Sequence, residues 1–92
     1  MAMTVRRHVT YGGMVQGVGF RYTVTRLARA RPVTGFVRNL ADGRVELVAE
    51  GAESQVLGLL ADVAQRMGGH IHGAQVVEEP ATGEFDDFGV IF

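Results

Sequence analysis

The stretch FRYTVTRLARARPVTGFVRNLADGRVELVAE, residues 20–50, changes its hydrophobic period once and turns back on itself once, and that decides the architecture. Phe20, Val24, Leu27 and Ala28 recur at helical spacing, which predicts an amphipathic helix over Phe20–Arg31. Pro32 stops it, because proline has no amide donor and disfavours helical geometry at Arg31. Val33–Leu40 and Arg44–Glu50 then flank Ala41-Asp42-Gly43. An Asp-Gly pair between extended runs is a hairpin signal, since the turn needs positive φ. In the second strand Val45, Leu47 and Ala49 alternate with Arg44, Glu46 and Glu50, so one fully buried sheet face is expected.

Working outward, Val5, Val9 and Tyr11 give a first strand over Val5–Tyr11, with Arg7 interrupting its alternation. Downstream, Val56, Leu59, Leu60, Val63 and Met67 form the inner stripe of a second helix over Glu53–Met67. Gly68-Gly69 is expected to end that helix with a left-handed cap. Gly58 inside it costs ~1 kcal/mol relative to alanine, offset by close packing on the sheet. Ala74–Glu79 reads as a fourth strand and Phe88–Phe92 as a fifth. The order βαββαβ predicts an α+β, ferredoxin-like sandwich, with two helices on one face of a mainly antiparallel four- to five-stranded sheet.

Composition narrows the function. At 92 residues the chain is expected to be one domain, 1–92, with 47% apolar residues to fill its core. Area scaling gives roughly 5,200 Å² of folded surface, about 64% of the extended surface being buried. No cysteine and no lysine are present, so thiolate nucleophiles, cysteine-ligated zinc, Schiff bases and a Walker lysine are excluded. The formal net charge of −1 argues against broad capture of nucleic acid, so any anion site must be local. Met1–Arg7 lacks the apolar core of a secretory signal and no run is long enough for a membrane helix. Cytoplasmic residence and no membrane partner are therefore expected, and the chain is separately expected to be a monomer.

Gly13-Met14-Val15-Gln16-Gly17-Val18-Gly19-Phe20-Arg21 joins a strand to a helix. Its glycines let successive N–H groups turn inward as a nest for an anion, where the helix start adds free donors and partial positive charge. Arg21 has the wrong sign for that end of the helix unless an anion sits between it and the loop. The simpler reading is a tight turn with a surface arginine. Asn39, ahead of the hairpin, reads either as a turn residue or as an amide holding a water. Arg38 next to it points to the other face.

Two blocks, Gly13-x-Val15-Gln16-Gly17-Val18-Gly19-Phe20-Arg21 and Gly35-Phe36-Val37-Arg38-Asn39-x-x-x-Gly43-x-Val45 with Gly51 beyond, resemble the two signatures of the acylphosphatase family. The resemblance implies hydrolysis of acyl phosphates to a carboxylate and inorganic phosphate, without metal or organic cofactor. It places the phosphoryl group in the loop Gln16, Gly17, Val18, Gly19, Phe20 and Arg21, with Arg21 clamping it and Asn39 orienting the attacking water. A small-molecule acyl phosphate is then the partner, and inorganic phosphate is both product and inhibitor. Met14, Leu40 and the connection Gly68–Gly73 depart from the family pattern; that connection reads as a mobile loop.

The remaining polar residues have plain readings. His70-x-His72 is a weak metal signal without placed carboxylates, better taken as part of a solvated loop. Glu78-Glu79 and Asp86-Asp87 read as solvated strand ends, and Arg26, Arg29 and Arg31 as an exposed basic flank. Two other functions compete: an RNA-binding sheet using Phe36, and a regulatory or maturation domain that has lost activity. The first lacks the RNA-recognition signature, and intact Arg21 and Asn39 weigh against the second.

Overall fold

Residues 3–92 are described by a computed structural model. Met1 and Ala2, which begin the stretch read as carrying no secretory signal, lie outside the described residues. The elements are β1 (Thr4–Gly13), α1 (Phe20–Arg29), β2 (Thr34–Asn39), β3 (Val45–Ala52), α2 (Glu53–Met67), β4 (Ile71–Glu79) and β5 (Phe88–Val90). They form one sheet in the order β4-β1-β3-β2-β5. All pairings are antiparallel except β2 with β5, so the sheet is mixed. The ferredoxin-like βαββαβ core is as expected, and β5 is the added parallel edge.

Both helices pack on one face. Val9 and Tyr11 from β1, Val37 from β2, and Val45, Leu47 and Ala49 from β3 meet Phe20, Val24 and Ala28 of α1 and Val56, Leu59 and Val63 of α2. Each fully buried Val, Leu or Phe there contributes about 1.5–3 kcal/mol relative to exposure. The accessible surface is 5369 Å², close to that expected for this length. Arg7 keeps to this face without breaking it. Its stem is buried and its guanidinium reaches Glu53 at 3.2 Å and Glu78 at 3.4 Å at the sheet margin.

Several local expectations are corrected. The first helix ends at Arg29, two residues early, and the Arg31 N–H closes a tighter turn on the Ala28 carbonyl at 3.1 Å. Arg31 is no free flank: its guanidinium bonds Asp62 at 3.0 Å and Gln55 at 3.1 Å across α2. A side chain on Gly58 would strike that guanidinium, so Gly58 makes room for Arg31 rather than for the sheet. Gly68 keeps a right-handed φ of −57°, and α2 ends instead through His70 N–H to the Met67 carbonyl at 2.9 Å. Ile71, His72 and Gly73 are strand residues of β4 rather than a loop.

Part of the second face of the sheet is covered too. Glu50 is 2% exposed, taking N–H groups of Thr82 and Gly83 at 3.0 Å each and Arg6 Nε at 2.6 Å. Burial alone would raise its pKa, but these donors hold the carboxyl below the usual carboxylate range. Phe85 packs on Phe36 with centroids 5.8 Å apart, occupying the aromatic that an RNA-binding sheet would need to offer. Glu79 is likewise engaged, with His8 at 3.1 Å and Arg6 at 3.8 Å.

Candidate active site

The site begins where β1 stops pairing. A register shift at Gly12/Gly13 against Ile71–Gly73 turns the chain out of the sheet, and the Met14 N–H bonds the His70 carbonyl at 2.9 Å. Val15 is fully buried under the loop that follows. Gly17 and Gly19 both take φ of 76°, a left-handed conformation costly for any residue with a side chain. Gly19 is also the N-cap of α1, which has no side-chain cap and no acid in its first turn.

The consequence is a run of free donors. From Val15 through Tyr22, no backbone N–H has an acceptor among the described residues. Such groups at a helix start suit an anion. The loop is held from below by the Phe20 ring, 2% exposed and 5.2 Å from Tyr11, and from the side by Gln16. Gln16 Nε2 donates to the Leu40 carbonyl at 2.8 Å and the Arg44 carbonyl at 2.9 Å. One side chain thus ties the loop to the β2–β3 turn, directly beyond Asn39.

A cleft of about 490 Å³ opens at this junction. Gly17, Gly19, Phe20, Arg21 and Asn39 all line it, so the two residues singled out from separate sequence blocks meet in one place. Arg21 lies over the Phe92 ring at 5.4 Å and pairs with no carboxylate among the described residues. The Asn39 Oδ1 is buried with no hydrogen-bond partner among the described residues. Arg38 faces away from the cleft, bonding Glu46 at 2.6 Å on the opposite face. Gln16 and Val18 do not line the cleft; Val18 is exposed at the loop crest.

Comparison with known proteins gives the family of the chain. The sequence profile of the acylphosphatase family matches residues 7–90. This chain belongs to the acylphosphatase family. It is similar to the acylphosphatase of Paenarthrobacter aurescens, 44% identical over 96% of this chain and 95% of that one. The acylphosphatase of Methylococcus capsulatus is 47% identical over 94% of this chain and 95% of its own. The crystal structure of acylphosphatase from Bacillus subtilis superposes with a TM-score of 0.88 at 32% identity, covering 98% of this chain and 100% of that one.

Within this acylphosphatase fold, the two departures in the signature blocks leave the cleft intact. Met14 is 68% exposed, and Leu40 acts through its backbone, whose carbonyl receives Gln16. His70 and His72 belong to no cluster of metal-ligating side chains among the described residues. Sequence reasoning missed the rest of the cleft wall: Tyr22, Thr25 and Arg29 from α1, and Val90 and Phe92 from the C-terminal end. The helical half had a signal, because Arg21, Thr25 and Arg29 repeat every fourth residue. The C-terminal half had none, since only the parallel β2–β5 pairing brings it there.

Proposed function

We propose that this hydrolase cleaves acyl phosphates by water attack on a phosphoryl group held in the loop of residues 16–21. Arg21 clamps the equatorial oxygens with charge-assisted bonds, and the N–H groups from Gln16 to Arg21 complete the cup. Asn39 orients the water. As the water oxygen bonds to phosphorus, the bridging P–O bond breaks and its electron pair leaves with the carboxylate. That leaving group is already a weak base and needs no general acid. Among the described residues no Asp, Glu or His lines the cleft, which supports transfer of the water's proton to a phosphate oxygen of the substrate itself. Phosphoryl transfer is largely positioning and charge stabilisation, so few side chains suffice.

The observation that carries this reading is the meeting of Arg21 and Asn39 in one cleft, beside a loop with unused N–H donors. The test is turnover of a simple aromatic acyl phosphate with chelator present. Wild type should turn over with competitive inhibition by millimolar phosphate. Arg21→Ala should lose phosphate affinity and turnover together, whereas Asn39→Ala should lose turnover, by ~10²–10³, and keep phosphate affinity. Equal loss of phosphate affinity in both variants would contradict this division of roles. The same reading makes residues 1–92 one acylphosphatase-like domain, a cytoplasmic monomer that takes no nucleic-acid or membrane partner. Sedimentation velocity checks the monomer.

A further inference from the structure

The cleft extends well beyond the phosphoryl end. Arg21, Thr25 and Arg29 fall on one stripe of α1, and all three line it. At 1.5 Å per residue, Arg21 and Arg29 stand about 12 Å apart along the helix axis. Val90 and Phe92 form the facing wall. Arg29 is fixed by one bond, Nε to the Phe88 carbonyl at 3.1 Å. Its other guanidinium N–H groups have no acceptor, and no carboxylate pairs with it among the described residues. Arg6, Arg7, Arg31, Arg38 and Arg44, by contrast, each hold an acidic partner. A tethered guanidinium with free planar donors at the far end of a substrate cleft is suited to a carboxylate or phosphate.

We infer that Arg29 is a specificity residue, receiving a second anionic group carried on the acyl part of the substrate. The cleft therefore favours acyl phosphates with two separated negative charges over those with a neutral acyl tail. This rests on the acyl-phosphate reading above and names the substrate class within it. A neutral tail leaves the Arg29 donors to water, while an anionic one gains charge-assisted bonds. Because Arg29 is exposed, the preference should be modest, about fivefold, and screened by salt.

The test compares kcat/KM for para-carboxybenzoyl phosphate and para-methylbenzoyl phosphate, whose rigid rings keep the second group away from the phosphoryl group. Wild type should favour the carboxylated substrate about fivefold at low salt, and the ratio should fall toward one at high salt. Arg29→Gln should bring the ratio near one, and Arg29→Lys should retain part of the preference. An unchanged ratio in Arg29→Gln overturns the inference, as does a wild-type ratio of one. The salt arm needs no variant, so it decides the matter even where losing the Phe88 bond unfolds Arg29→Gln: a salt-independent ratio also overturns it. Wild type that hydrolyses neither substrate overturns the acyl-phosphate reading and this inference together, whereas hydrolysis of both without preference overturns this inference alone.

Discussion

The two helices start under opposite electrostatic conditions. α2 carries Glu53 in its first turn, paired with Arg7 at 3.2 Å, and Arg66 in its last, the arrangement that complements a helix dipole. α1 carries Arg21 in its first turn, no acid, and a left-handed glycine at its N-cap, while neither helix start has a side-chain cap. Both sit on the same sheet, and both have basic residues in their last turn. The difference is confined to the end of α1 that borders the cleft. A helix start without an acid and loaded with positive charge is a poor stabilising device and a good receptor for an anion. The contrast separates what holds the fold from what is proposed to do its chemistry.

Converting one helix start into the other is the harshest way to break that comparison. Arg21→Glu should remove phosphate binding and lower turnover by at least ~10²–10³. It should also leave thermal stability unchanged or raised by about 0.3–1 kcal/mol through the dipole. A loss of activity accompanied by unfolding would show that Arg21 supports structure instead. Gln16→Ala cuts the tie between loop and hairpin without touching the cleft. Small misplacements of reacting groups are costly, so kcat should fall by about 10–10² while the melting temperature changes little. Unaltered kcat would mean the loop holds its shape unaided.

The control lies at α2. Glu53→Gln should cost about 0.3–1 kcal/mol in chemical denaturation, with kcat/KM as in wild type. A drop in turnover there would erase the distinction between the two helix starts. The smallest effect concerns the sheet face away from the helices. His8 lies between Glu46 at 2.7 Å and Glu79 at 3.1 Å, with Arg38 and Arg6 beyond them on those same carboxylates. Desolvation pulls its pKa down, but the bonds to Glu79 and Glu46 outweigh this and leave it raised above 6.5. Its contribution to stability is thus complete below that ordinary value and lost as pH rises through the raised one. Denaturation midpoints should fall across this window in wild type and stay flatter in His8→Gln. Identical profiles would remove His8 from the charge lattice.

What was legible in the sequence was local. α2 has the expected bounds because its apolar stripe is uninterrupted, and the hairpin turn follows from Asp42 and Gly43, whose φ is 94°. The loop proposed to hold the phosphoryl group could be read because glycines and a helix start are adjacent in the chain. Glu50 could not, since the N–H groups that make its burial tolerable come from Thr82 and Gly83, in a segment without hydrophobic period. The same holds for Arg31, read as a solvated flank until Gln55 and Asp62 of α2 come beside it. Gly68 looked like a left-handed cap by composition, but the strand that begins at Ile71 leaves only a tight turn. Where two distant segments must meet, neither carries the signal alone.

The proposed receiving cup can be tested directly. Titrating inorganic phosphate into the nitrogen-15-labelled protein should move backbone amide resonances from Gln16 to Arg21 first and farthest, with the α2 start at Glu53–Val56 unmoved. Shifts centred elsewhere, or none at millimolar phosphate in a folded protein, would contradict the assignment of this loop as the phosphoryl site.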